Sequence, residues 1–159
     1  MRIWILRHGQ AEPHAASDSQ RRLTETGRQE ALSMGRHLQN EPIDVILASP
    51  YIRAQQTAEL VREQLGLRRA IVTVDWATPD DDPLAVLDHL AERSEQRVLL
   101  VSHQPLVGQL ISLAVDGHRQ GHYPMPTAGL ACLEAAMPAA GVAELRELTD
   151  PASLAENRD

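Results

Sequence analysis

IWILRHGQAE, residues Ile3 to Glu12, runs four apolar residues straight into an arginine, a histidine and a glycine. An unbroken apolar run, Ile3 to Leu6, reads as a strand buried on both faces. Such strands belong to parallel sheets with helices packed on either side. The polar loop Gln10 to Arg22 follows. Arg7 and His8 therefore stand at the carboxyl end of a buried strand, where open α/β sheets hold their ligands.

The rest of the chain repeats the pattern. A helix is expected from about Thr24 or Thr26 to Asn40, with Ala31, Met34, Gly35 and Leu38 on one face. Thr26 and Gln29 could form a capping box, and Thr24 is an equal candidate for the cap. Ile43 to Ala48 reads as a second buried strand. Ser49-Pro50 reads as the cap and first position of a second helix, with Leu60, Val61 and Leu65 as its core stripe and Gly66 as its stop. Ile71 to Val74 is the third strand. Asp80 to Asp82 precede Pro83, another capped start, and Leu84, Leu87, Leu90 and Ala91 form that helix's apolar side. Val98 to Val101 is the fourth strand, and Pro105 opens an apolar helix to about Val115. Gly129 to Ala135 and Val142 to Leu148 read as a late antiparallel pair. After Pro151 the tail is expected to be a frayed helix or disordered. The order β-α-β-α-β-α-β-α-β-β indicates a three-layer α/β/α sandwich with a mostly parallel sheet.

Composition bounds the function classes. The length, 159 residues, fits one domain spanning 1–159. The net charge of −7 argues against nonspecific nucleic-acid binding. Cys132 is the one cysteine, so no disulfide framework or cysteine zinc site is expected. No run approaches the length of a membrane span. The first residues lack the order of a signal peptide, and a cytoplasmic protein is expected. Nothing suggests an obligate dimer, so the expectation is a monomer.

Three strand ends carry chemistry. The first carries Arg7-His8-Gly9. The second carries Ser49-Pro50, with Arg53 a helical turn later. The fourth carries Ser102-His103. In a parallel sheet all three reach the same edge, so two arginines and two histidines would converge there. Arginine keeps its charge and presents a planar fork suited to phosphate oxygens. Neutral imidazole is a competent nucleophile near pH 7. Gly9 is expected to let the backbone pass close to a ligand, and the start of the second helix adds N–H groups suited to an anion.

"LRHGQAE", "SPYIRAQQTA" and "LVSHQP", in that order, resemble the histidine phosphatase superfamily, the phosphoglycerate mutase-like fold. That resemblance implies His8 as nucleophile, a phosphohistidine intermediate, and Arg7, Arg53 and His103 holding the phosphoryl group. It implies no cofactor and no metal. The run "AASDSQRRLTETG" and the short link from Asp75 to Pro83 resemble the SixA-type phosphohistidine phosphatases. This closer resemblance implies Arg21 as a further phosphate contact, an unroofed pocket, and a phosphorylated histidine of a phosphorelay (HPt-type) protein as partner. Many larger relatives place a glutamate general acid after the third strand. Here that stretch reads "DWATPDDDP" and holds no glutamate. Asp80 or Asp81 is left as a replacement acid, against the reading of a helix cap and solvated turn. A phosphoramidate tolerates the loss, because an imidazole protonated on its other nitrogen is a good leaving group.

Two other functions remain open: a phosphatase for small phosphomonoesters, and a phospho-binding module without turnover. His118 and His122 have metal-pair spacing but no third ligand, and read as a surface loop. Ser49 reads as a cap and not a nucleophile. Gln10, Glu12 and Thr127 to Gly129 are rim candidates. Trp4 and Trp76 read as core or rim.

Overall fold

The computed structural model describes residues 1–156. Six strands form one sheet in the order β3-β2-β4-β1-β5-β6. β1 (Arg2–Arg7), β2 (Val45–Ala48), β3 (Val72–Thr73) and β4 (Arg97–Ser102) run parallel to their neighbours. β5 (Leu130–Glu134) and β6 (Glu144–Thr149) form the expected antiparallel pair, with β5 antiparallel to β1.

Alternate residues of the central strands feed two cores, as the two-residue strand period requires. Ile3, Ile5, Val45, Leu47, Val98 and Leu100 pack with α3 (Pro83–Ala91) and α4 (Leu106–Asp116). Trp4, Leu6, Ile46, Ala48, Leu99 and Val101 pack with α1 (Glu25–His37) and α2 (Ile52–Leu65). The result is the expected three-layer sandwich.

Several local expectations change. Thr24 caps α1 by accepting the Gly27 N–H at 3.0 Å, so the Thr26–Gln29 box does not form. α2 begins after Tyr51 with no side-chain cap, and Ser49 is not its cap. Ser49 is drawn instead into a bond with His103, which offers a buried hydroxyl a stronger partner. In α3, Leu84 is exposed and Val86 is buried, because the neighbouring α4 selects the Val86–Leu87–Leu90 side. β3 is shorter than Ile71 to Val74 because the edge strand pairs with β2 at only two positions. The tail forms α5 (Pro151–Glu156), and residues 157–159 lie outside the described ones. No helix among the described residues is long and apolar enough to cross a membrane.

Candidate active site

Strand register aligns the three ends. Arg7 lies opposite Ser102 across the β1–β4 pair, and Ala48 lies opposite Val101 across the β2–β4 pair. Backbone bonds extend this alignment beyond the strands: His8 N donates to Ser102 O at 3.0 Å, and Ser49 N donates to Val101 O at 3.1 Å. His8, His103 and Ser49 thus emerge side by side. The first turn of α2 brings Arg53 in from the β2 end.

The His8 ring is fixed at both nitrogens. Nδ1 lies 2.7 Å from Gly9 O. A carbonyl oxygen only accepts, so Nδ1 carries the proton. Arg53 Nε donates to His8 Nε2 at 3.3 Å, which requires a lone pair there. The two bonds agree on one neutral tautomer. Burial pushes the His8 pKa down to about 4; the bond to Gly9 opposes this, while Arg53, Arg7 and Arg21 add to it. His8 is therefore neutral at neutral pH, with its Nε2 lone pair on the arginine side.

His103 packs edge-on against His8, with ring centroids 5.1 Å apart, and against Tyr51 at 4.9 Å. Its Nε2 lies 2.7 Å from Ser49 Oγ. Burial, then the proximity of His8 and Arg53, push its pKa down to about 3. Arg7 bonds through Nη1 to Met125 O at 3.0 Å. Burial lowers its pKa, with Glu30 opposing and Arg53 adding to the effect. Arg53 is only 4% exposed, and its guanidinium lies 5.0 Å over the Tyr51 ring.

Asp18 was not among the expected site residues, although it stands inside the quoted AASDSQRRLTETG run. It opens a short 3-10 turn, Asp18–Gln20. Its backbone oxygen accepts from Arg53 Nη1 at 2.6 Å, and its carboxylate accepts from Arg53 Nη2 at 3.1 Å. The site is consequently more covered than the short β3–α3 link suggests, and His8 is 6% exposed.

Arg21 is placed one step out. It donates to Glu12 O at 2.6 Å and to the Asp18 carboxylate at 2.9 Å. Its charge still helps to lower the His8 pKa.

Gly9 packs closely against α1. Its N–H donates to Thr57 Oγ1 at 3.0 Å and is occupied. A Cβ there would run into the backbone carbonyl of Gly27 in α1. Thr57, also outside the expected set, donates in turn to Arg53 O at 2.8 Å, tying the loop after β1 to α2. The run Thr127 to Gly129 does border the site: Ala128 N donates to His8 O at 2.9 Å, and Gly129 O accepts from Arg7 N at 2.9 Å.

The aspartates before α3 have local tasks. The Asp81 carboxylate accepts from Thr78 N at 2.7 Å and from Thr78 Oγ1 at 2.6 Å. Asp82 caps α3 through Leu84 N at 3.0 Å. Asp80 is exposed. Among the described residues no group of three or more His, Cys, Asp or Glu side chains could hold a metal ion. Trp4 is core, and Trp76 stacks on His89 at 4.9 Å. His118 Nδ1 accepts from Gln120 N, as suits a surface loop.

The set as a whole suits a tetrahedral anion facing a neutral imidazole. The family model for the histidine phosphatase superfamily (branch 1) matches residues 3–76. Phosphohistidine phosphatase SixA of Escherichia coli (strain K12) is 38% identical over 122 residues, covering 74% of this chain and 76% of that protein. A SixA homolog of Haemophilus influenzae is 36% identical over 124 residues, covering 70% of this chain and 76% of that one. A solved structure of the protein histidine phosphatase SixA complexed with tungstate matches with a TM-score of 0.85 at 33% identity, over 97% of this chain and 99% of that one. With relatives of this identity and coverage sharing its architecture from end to end, the chain belongs to the histidine phosphatase superfamily, among its SixA-type members.

Proposed function

We propose that this protein hydrolyses phosphohistidine on a partner protein, a phosphorelay domain of the HPt type, through a phosphoryl group carried on His8. The observation that carries the reading is the His8 tautomer. Nδ1 donates to Gly9 O at 2.7 Å, which keeps the ring proton off Nε2; the Nε2 lone pair, accepting from Arg53 Nε at 3.3 Å, attacks once the phosphoryl group takes that donor. Nε2 forms a bond to phosphorus as the P–N bond to the partner imidazole breaks. The departing ring keeps the electron pair and takes a proton from solvent or already carries one on its other nitrogen. Water then attacks phosphorus, the His8–phosphorus bond breaks, and orthophosphate leaves.

Arg7 and Arg53 neutralise charge on the phosphoryl oxygens in both steps and neutral His103 adds a hydrogen bond, which is most of what a protein contributes to phosphoryl transfer. Arg21 acts from the second rank, through Asp18. The bonds of Asp81 and Asp82 favour a substrate with a good leaving group, since of the two candidate acids only the exposed Asp80 is left without such a bond. Asp81 is bound to Thr78 and Asp82 to the start of α3, so neither is free to protonate a departing alkoxide. The similarity to proteins named for phosphohistidine phosphatase activity points the same way. The reading carries with it a cytoplasmic monomer needing no cofactor.

The test compares turnover of a phosphorylated HPt domain with that of a panel of sugar phosphates and phosphoserine. A kcat/KM at least tenfold higher on the phosphohistidine domain is expected, on the order of a modest leaving-group discrimination. Faster turnover of the phosphomonoesters would overturn the substrate assignment.

A further inference from the structure

Two buried side-chain polar atoms lack a hydrogen-bond partner among the described residues: Arg7 Nε and His103 Nδ1. Both belong to the candidate site, and a native protein seldom leaves such atoms without a reason. Arg7 Nε is a donor in every state. His103 Nδ1 is a donor or an acceptor according to tautomer, and that choice decides whether it can meet a phosphoryl oxygen.

Ser49 makes the choice. It is fully buried. Its Oγ accepts the Tyr51 N–H at 3.3 Å and lies 2.7 Å from His103 Nε2. A serine hydroxyl has one proton to give and two lone pairs. No other acceptor for that proton is present: the Ser49 carbonyl takes the Gln55 side chain, and the Tyr51 contact supplies a donor. If His103 Nε2 carried the ring proton, the Ser49 hydroxyl proton would be buried without a partner. His103 Nδ1 would then be a bare lone pair, repelling any phosphoryl oxygen. If Ser49 donates to Nε2, the hydroxyl is satisfied and the ring proton sits on Nδ1. That arrangement leaves one orphan, the His103 Nδ1–H, whereas the other leaves two, the Ser49 hydroxyl proton and the Nδ1 lone pair, and is the costlier.

We propose that Ser49 is a positioning residue which holds His103 in the Nδ1–H tautomer, so that His103 Nδ1 meets a phosphoryl group as a donor. Its use in catalysis rests on the proposed phosphatase reading, whereas the tautomer does not. The two histidines of the site then hold their Nδ1 protons by opposite means. His8 does so by donating to a backbone carbonyl, which leaves Nε2 as nucleophile. His103 does so by accepting at Nε2 from a side-chain hydroxyl, which leaves Nδ1 as donor. Two neighbouring imidazoles in the same tautomer thus serve opposite roles. The neutrality of His103 that this requires agrees with its burial beside two arginines.

Long-range proton–nitrogen correlation spectra of the histidine rings of the free protein test this directly, alongside orthophosphate binding and turnover. In the wild type, His103 is expected to show the Nδ1–H pattern. In Ser49→Ala, the signals should move toward the Nε2–H tautomer that free imidazole side chains prefer. Orthophosphate binding and kcat should each fall roughly tenfold, the scale of one lost hydrogen bond to a charged group. Ser49→Thr retains the hydroxyl and should restore tautomer, binding and rate together. An Nε2–H pattern in the wild type would overturn the proposal, as would an unchanged tautomer in a folded Ser49→Ala. A wild-type protein with the Nδ1–H pattern but no turnover of any phosphate would leave the tautomer standing and remove the phosphatase reading.

Discussion

The Asp18 carboxylate stands between two arginines, 3.1 Å from Arg53 Nη2 and 2.9 Å from Arg21 Nη1. It is an internal anion resting on Arg53, which the proposed mechanism assigns to phosphate, and tethered by Arg21. The Asp18 side chain is 57% exposed while that of Arg53 is 5% exposed, so the carboxylate can swing outward and the guanidinium cannot. Its bonds to Arg21 and Arg53 hold its pKa below the usual carboxylate value, so it competes as an anion at neutral pH. Asp18→Asn is expected to tighten orthophosphate binding about fivefold, the scale of one partly exposed ion pair. Isothermal titration of both proteins measures it. Weaker binding in Asp18→Asn would instead make Asp18 a support for Arg53.

The buried histidines make stability depend on pH. Burial lowers His8 from 6.5 to about 4 and His103 from 6.5 to about 3. Between pH 6.5 and about 4 the unfolded chain binds protons at these positions that the folded protein does not. Stability therefore falls as pH drops through that window, and for His103 it continues to fall to about pH 3. The combined effect is on the order of a few kcal/mol. Thermal unfolding at stepped pH should show it. The double variant His8→Asn with His103→Asn should have a visibly flatter curve, and parallel curves would contradict the assignment.

The approach of Gly9 to Gly27 sets how far the His8–Gly9 loop sits from α1. A Cβ on Gly9 meets the Gly27 carbonyl, a backbone atom that cannot turn aside. Gly9→Ala is expected to cost about 2 kcal/mol by overpacking. It should also lower kcat, because the Thr57 bond and the Gly9 carbonyl that orients His8 move with the loop. Denaturant titration and steady-state rates report the two effects. A Gly9→Ala protein of wild-type stability would show that the crossing has slack.

The sheet was legible in the sequence because its central strands are continuous apolar runs, and the parallel order then sent Arg7, His8, Ser49 and His103 to one edge. What escaped reading depends on partners distant along the chain. Ser49-Pro50 has the local form of a helix cap, but its hydroxyl bonds to His103, 54 residues away. Asp18 looked like one polar residue in a polar loop, and only the fold brings it to Arg53, 35 residues on. Gly9 was read as a close approach to a ligand, and its packing against Gly27, 18 residues on, is visible only in the fold. In α3, Leu84 and Val86 could each have faced inward until α4 chose between them.

Everything chemical here turns on the lone pair at His8 Nε2, the atom that Arg53 Nε approaches at 3.3 Å. The direct measurement mixes the protein with a phosphorylated HPt domain, quenches in alkali within a fraction of a turnover, and locates the transferred phosphoryl group by mass spectrometry of peptides. A phosphoryl group on His8, bonded at Nε2 by phosphorus NMR and missing from His8→Ala, is the expected result. Rapid release of orthophosphate with no phosphoryl group ever found on His8, or near-normal turnover by His8→Ala, would contradict it.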